Sequence, residues 1–450
     1  MCYYQKVFID VHHFLFFHVS QVMFMLHEDD VDLIRTQGDG DFFYPCYKEK
    51  CISNIPGTVL DLFGVKAKRK LPIEIDTQTG DVNKVVVFVL DGFGYNQFLR
   101  SYSDNKFLVN LAEKGEVFPL TSVFPSQTTN ALTTLNTGLT PQEHGLFEYY
   151  LYLKEVDRIV STLSFNPLGS KRRNELIDRG FKPNILFNGN TIQNTLREAG
   201  VKTFVHIYTA YAYSPYSTVL FDGSTIVPNL KSSDLVVNLR KTLEKEKGPA
   251  YYFVHLSNLD TISHEYGPQS IEYCAELSAV SYLLQKELVE KIDQKTAKET
   301  LLLMTSDHGG VNIVPQDTTY LNCFPQVVEN LQYGKGGERI LPTGSARDIF
   351  LHVKEEKLKE TQDLLTQKIG GKAKVVQTKE AIKTGLFGLG EVRSEFVDRA
   401  GNLLILPYKN ETVWFEHFKG RRFNLLGHHG GLTKDEMLVP LAITTLNNLK

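Results

Sequence analysis

The chain has 450 residues, 42% of them hydrophobic and 22% charged, with a formal net charge of −3. Such a chain buries a large core and is long enough for one big α/β domain with an insertion, or for two to three ordinary domains. Its basic runs are short (KAKRK at 66–70, then Lys171, Arg172 and Arg173), and without a basic stripe long nucleic acid is not an expected partner.

The first elements are the least regular. Residues 7–26, VFIDVHHFLFFHVSQVMFML, are aromatic and apolar yet carry Asp10, three histidines and Gln21. A membrane span needs roughly 20 apolar residues with few polar interruptions, and a signal peptide needs a basic start and a small-residue cleavage site. Residues 1–40 are therefore read as an N-terminal extension, with three readings open: a stretch ahead of a later start such as Met25, a membrane-associating segment, or a packed element. Five scattered cysteines (Cys2, Cys46, Cys51, Cys274, Cys323) imply no disulfide framework and favour a reducing compartment. A cytoplasmic location is preferred, with membrane association through residues 7–26 as the alternative.

After the GDGD break at 38–41, SNIPGTVLDLFGV predicts a short amphipathic helix with Pro56 just inside its start, packed against the main domain. The pattern then alternates: VVVFVL (85–90), a helix near 105–114, a Thr-rich helix near 128–137, FVHIY (204–208), YYFVHL (251–256), a long helix within 269–293, and LLLMTS (301–306). Apolar runs alternating with helices predict an α/β fold with a largely parallel sheet covered by helices. About 120 residues between His308 and His429 break this rhythm, mixing a glycine-rich loop, DIFLHV, a helix near 355–369, KVVQT and LLILPY. They predict a small α+β cap over 321–419, inserted into a core of 41–320 and 420–450 to which LVPLAITTL (438–446) returns. No GxxxxGK[ST] phosphate loop is present.

Metal-binding residue types recur at the ends of the apolar runs. Asp91 follows six apolar residues, and Asp307 and His308 follow LLLMTS. In open α/β sheets ligands bind at the carboxyl edge of the strands, although a lone aspartate there is more often a cap. Asp260 and His264 lie four apart after YYFVHLSN, on one side of a helical turn, where an ion pair is the plainer reading. His429 stands in a flexible GHHGG stretch and is preferred over His428 as a ligand. Thr128 and Thr129 open the Thr-rich helix that ends at Gly138; either is an N-cap or a nucleophile activated by a cation.

The segments LDGFG, TGLTPQEHG, DTISHEYGP, TSDHGG and HHGG, in this order, resemble the alkaline phosphatase superfamily and, within it, the type I phosphodiesterase/nucleotide pyrophosphatase branch, on the side of its prokaryotic members. The resemblance covers about residues 84–447 and implies an α/β/α sandwich with two divalent metal ions, read as Zn2+. One ion would be held by Asp91, Thr128, Asp307 and His308, the other by Asp260, His264 and His429. The family's nucleophile precedes its Thr-Gly by nine residues, which selects Thr128 ahead of Thr137. Tyr149 stands where eukaryotic members carry a phosphate-binding asparagine, which makes it a candidate substrate contact. His144 matches the family pattern but is read as structural.

The implied activity is a metal-dependent phosphoric ester hydrolase working through a phospho-threonine, on a small phosphorylated substrate such as a nucleotide. Phosphomonoester or phosphonate hydrolysis on the same scaffold, or a silent metal- or phosphate-binding module, are the alternatives. Trp414, Phe415, His417, Phe418 and Arg347 are the cap side chains available to stack on a base or meet a second phosphate. The sequence carries no signal of an oligomeric state.

Overall fold

The computed structural model describes residues 40–75 and 82–450. The extension expected over 1–40, including residues 7–26, lies outside them apart from Gly40. No helix among the described residues is long and apolar enough to cross a membrane.

Seven strands form the central sheet: β1 (Lys84–Leu90), β2 (Glu116–Thr121), β3 (Lys202–Tyr208), β4 (Thr225–Asn229), β5 (Ala250–Leu256), β6 (Thr300–Thr305) and β7 (Leu438–Thr445). Their order is β2-β7-β6-β1-β5-β3-β4. β1 pairs in parallel with both β5 and β6, while β7 runs antiparallel between β6 and β2. All seven residues of β1, β5 and the apolar stretch of β6 are buried, so both faces of the sheet centre are covered. At the amino end of β1 the buried Lys84 ammonium meets Glu299 at 2.7 Å, which leaves the carboxyl end as the place where buried charge is not matched by lysine or arginine.

The expected helix at Pro56 is α1 (Ile55–Leu62), and the segment before it packs onto the main core through Phe42, Cys51 and Ile52. The basic residues that follow are tied down locally, with Arg69 and Lys68 on Glu143 and Lys70 on Asp61. The Thr-rich helix is α2 (Thr128–Thr137). Gln127 is its N-cap, so Thr128 is its first residue rather than its cap, and Gly138 closes it at φ 68°. Asp260 and His264 lie on α3 (Asn258–Tyr266), directly after β5.

Sequence patterning did not anticipate β2, β4 or the meander of Tyr150–Leu153, Arg158–Ser161 and Asn166–Pro167. β2 carries Pro119, which an edge strand tolerates because a missing N–H breaks no interior ladder.

The inserted segment forms an antiparallel four-stranded sheet ordered Thr343–Ser345, Asp348–Leu351, Leu403–Pro407, Ala373–Gln377, with the helix Leu358–Ile369 packed beside it. Period-two alternation divides its side chains: Ile349, Leu351, Leu403 and Ile405 build a separate small core, while Phe350, Leu404 and Leu406 join the main one. This apolar face packs the sheet onto the main core. Its ends are closed by Thr319–Tyr320 pairing with Val413–Trp414.

Candidate active site

The ligand-type residues converge at the carboxyl ends of β1, β5 and β6. Asp91 continues β1 and its N–H donates to the Leu256 carbonyl at the end of β5 (3.0 Å). Gly92 then turns at φ 74°, and a Cβ there would meet the Cα and Cβ of Asp260 at 3.1 Å, so the turn carrying Asp91 lies flat against α3. Asp307 and His308 continue β6. His308 Nε2 is 3.4 Å from Asp91 Oδ1, 3.3 Å from Asp307 Oδ2 and 3.1 Å from the hydroxyl of Thr128. On the far side Asp260 Oδ2 is 3.2 Å from His264 Nε2, and Asp260 Oδ1 is 3.6 Å from His429 Nε2.

The two ligand sets expected from sequence are contiguous. The rings of His308 and His429 stack at 3.5 Å and 10°, and donor atoms within 4.8 Å of one another form three groups: Asp91, Asp307 and His308; Asp260, His308 and His429; His264, His428 and His429. His428, passed over in the sequence reading, therefore stands beside His429 and His264.

The imidazoles are set for ligation. Nδ1 of His264, His308 and His429 each donates to a backbone carbonyl, those of Gly427, Gly309 and Ser126, all at 2.9 Å. A carbonyl only accepts, so Nδ1 carries a proton and each Nε2 is the ring nitrogen aimed at the cluster. Two buried carboxylate oxygens, Asp91 Oδ1 and Asp307 Oδ2, have no hydrogen-bond partner. Asp91, Asp260 and Asp307 make no ion pair with lysine or arginine among the described residues. Buried carboxylates without a counter-charge are costly, and this donor set of imidazole nitrogens and carboxylate oxygens fits divalent cations of the zinc type.

The electrostatics express the same deficit. Burial, then the charges of Asp307 and Asp260, push the Asp91 carboxyl well above the usual carboxylate range. Burial alone would lower His264, but the neighbouring Asp260 carboxylate raises it to about 9. Burial and the adjacent His308 bring His429 down to about 3.

A cavity of about 510 Å³ opens onto this cluster. Thr128 lines it, half-buried, at the amino end of α2, where free backbone amides and the helix dipole favour an anion. Tyr149, Tyr150, Tyr211, Trp414 and Phe423 supply aromatic walls, with Arg422 as the one lysine or arginine along them. Phe423 stacks on His428 (5.4 Å, 18°), joining the aromatic wall to the histidine cluster.

Of the cap residues proposed for substrate, Trp414 alone reaches this cavity. Arg347 is fully buried, its guanidinium bidentate on Glu436 (both bonds 2.9 Å) and donating to the carbonyls of Lys409 and Glu411. Phe415 belongs to the small core, and His417 and Phe418 line a separate cavity of about 180 Å³. His144 is structural, as expected: its Nδ1 accepts from the Leu146 N–H (3.0 Å), its Nε2 meets the Thr134 hydroxyl (3.1 Å), and burial lowers it to about 3. Three contributors escaped the sequence reading: His255, Phe423, and the buried pair of Glu148 on the cavity wall with Asp348 of the cap. The one available signal was a histidine inside the apolar run of β5.

The pattern of the type I phosphodiesterase/nucleotide pyrophosphatase family matches residues 85–432. The chain belongs to this family. Relatives include the venom phosphodiesterase CdcPDE of Crotalus durissus collilineatus, 24% identical over 277 residues, which is 59% of this chain and 31% of the relative. Human ectonucleotide pyrophosphatase/phosphodiesterase family member 1 is 24% identical over 255 residues, 55% of this chain and 26% of the relative. The match thus spans about a third or less of these curated relatives. Among solved structures, murine ectonucleotide pyrophosphatase/phosphodiesterase 5 superposes with a TM-score of 0.60 at 18% identity, covering 80% of this chain and 87% of that one. An inactive form of the murine protein, in complex with AMP, superposes at 0.58. The family assignment agrees with the resemblance read from the ordered motifs, and the mostly parallel central sheet agrees with these structural neighbours.

Proposed function

We propose that this family member is a metal-dependent phosphoric diester hydrolase of the phosphodiesterase/nucleotide pyrophosphatase type, with Thr128 as its nucleophile. One observation carries the reading: a cavity-lining threonine hydroxyl at a helix amino end stands 3.1 Å from Nε2 of His308, inside a cluster of buried carboxylates and outward-aimed imidazole nitrogens. Asp91, Thr128, Asp307 and His308 would hold one divalent cation and Asp260, His264 and His429 the other, with zinc the metal best suited to these donors. Bound there, the cations lower the pKa of the hydroxyl and offset the charge that develops on the phosphate oxygens.

Thr128 Oγ loses its proton and attacks phosphorus, the phosphorus–oxygen bond to the leaving alcohol breaks with that oxygen taking up a proton, and the remaining phosphate ester is carried on the threonine. Water then attacks phosphorus, returning the Thr128 hydroxyl and releasing the phosphate monoester. The unpaired amides at the start of α2 stabilise the phosphate oxygens in both steps, and the Tyr149 hydroxyl is the proposed donor where eukaryotic members use asparagine. A nucleotidyl substrate suits the aromatic walls, since a base stacks on Trp414, Phe423 or the tyrosines, and the AMP complex of the murine neighbour supports that choice.

The test is hydrolysis of bis-p-nitrophenyl phosphate against p-nitrophenyl phosphate by zinc-loaded protein, with Thr128→Ala beside it. Diester preference that disappears in the variant is expected. Monoester preference would transfer the reading to a phosphatase, and undiminished turnover in the variant would remove Thr128 from the mechanism.

A further inference from the structure

Asp91 and Asp307 sit side by side but are held very differently. Asp307 Oδ1 receives the backbone N–H groups of Gly92 (3.2 Å) and His308 (3.0 Å) and the Ser306 hydroxyl (3.3 Å). Asp91 has a single donor among the described residues, Nε2 of His255, at 2.9 Å from Oδ2, and none on Oδ1. His255 stands on β5 next to β1, with Val89 opposite His255 and Leu90 opposite Leu256 in the parallel ladder. Backbone pairing therefore fixes the approach of ring to carboxylate. Both side chains are buried and both line the cavity.

We infer that His255 is the positioning residue of the cation site: its Nε2–H holds Oδ2 of Asp91 and leaves Oδ1 as the oxygen offered to the metal. This inference rests on the metal reading given above. Without that donor nothing fixes which oxygen of the Asp91 carboxylate is presented, and a ligand whose orientation is not fixed binds a cation less well. The partner residues that orient metal ligands are worth about 10–100-fold in metal affinity. His255 is not itself a ligand in this account, because its Nε2 is committed to Asp91.

Two substitutions separate these roles. In His255→Gln the side-chain amide nitrogen falls near the position of Nε2 and still donates a hydrogen bond, but an amide is a poor zinc ligand. In His255→Phe the ring volume stays and the donor is lost. The full chain, stripped with chelator, is titrated with zinc in competition with a chromophoric chelator, and urea unfolding checks the fold of each variant. Wild type is expected to take up two zinc ions. His255→Phe is expected to lose about 10–100-fold in affinity for one of them and keep the other, while His255→Gln stays close to wild type. Unchanged affinity in the Phe variant overturns the inference, and so does a Gln variant as weak as Phe, which would make His255 a ligand. If Phe prevents folding, Asn, whose amide is too short to reach Asp91, takes its place with the same expectation. A wild-type chain that takes up no zinc withdraws the metal reading, and the inference with it.

Discussion

The hydroxyl of Thr128 lies 3.1 Å from Nε2 of His308, although 180 residues separate them, because α2 starts where β6 ends. His308 donates its Nδ1–H to the Gly309 carbonyl (2.9 Å), so Nε2 meets the threonine as an acceptor and a metal would take the same lone pair. The proposed nucleophile and the proposed ligand therefore meet at one lone pair.

That sharing predicts a division between chemistry and metal binding. Thr128→Ala is expected to lower diester turnover by more than about 10³-fold while zinc uptake persists through the carboxylates and imidazoles, and Thr128→Ser keeps measurable turnover. Stopped-assay rates set beside zinc content per chain check it. A variant that loses both together would make Thr128 a structural residue.

Removal of metal should also be felt by the fold. Asp91 Oδ1 and Asp307 Oδ2 have no partner in the protein, so a cation that binds the folded chain alone stabilises it by mass action, about 2.7 kcal/mol at a free concentration one hundred times Kd. Zinc is expected to raise Tm in a concentration-dependent way and prolonged chelation to abolish activity, with zinc restoring it. Activity that survives chelation would falsify the metal site.

The buried acid pair gives a stability change with pH. Burial, then Asp348, holds Glu148 well above its usual range, and burial holds Asp348 up to about 7 despite hydrogen bonds from Glu148 and Ser345. An unfolded aspartate titrates near 4. Between about pH 4 and 7 the unfolded chain thus releases a proton that the folded chain keeps, and stability falls as pH rises through that window. In chelator, Tm should drop less between pH 4.5 and 7.5 for Asp348→Asn than for wild type. Parallel declines would show that Asp348 does not carry this proton.

Arg347 and Trp414 should fail in different ways. Arg347→Met leaves Glu436 buried without its partner, a loss of about 3–5 kcal/mol, measured as a lower urea midpoint with KM unchanged in the folded protein. Trp414→Ala removes an aromatic wall of the cavity and should raise KM for nucleotidyl esters several-fold while the urea midpoint barely moves. The reverse pattern would exchange their roles.

Much of this site is written in short-range pattern. An apolar run buried on both faces ends at the carboxyl edge of a parallel sheet, so Asp91, Asp260, Asp307 and His308 declare themselves by standing just beyond such runs, and helical spacing brings His264 beside Asp260. The same logic marks a change of rhythm between His308 and His429, where the chain leaves the central sheet for the four-stranded one. It fails where a side chain's direction depends on a partner far along the chain. Arg347 and Trp414 lie in one insertion and both suit a phosphate or a base, yet Glu436, 89 residues on, draws Arg347 into the interior, while pairing with Thr319–Tyr320 sets Trp414 on the cavity wall. His255 reads as one polar letter in an apolar strand until strand register sets it on Asp91, 164 residues away, and Glu148 meets Asp348 only because the cap sheet packs on the core. Local sequence determined which residues stand at strand ends, because burial and periodicity act over a few residues. Tertiary packing alone decided which of them face one another, because those contacts join segments that the chain itself keeps far apart.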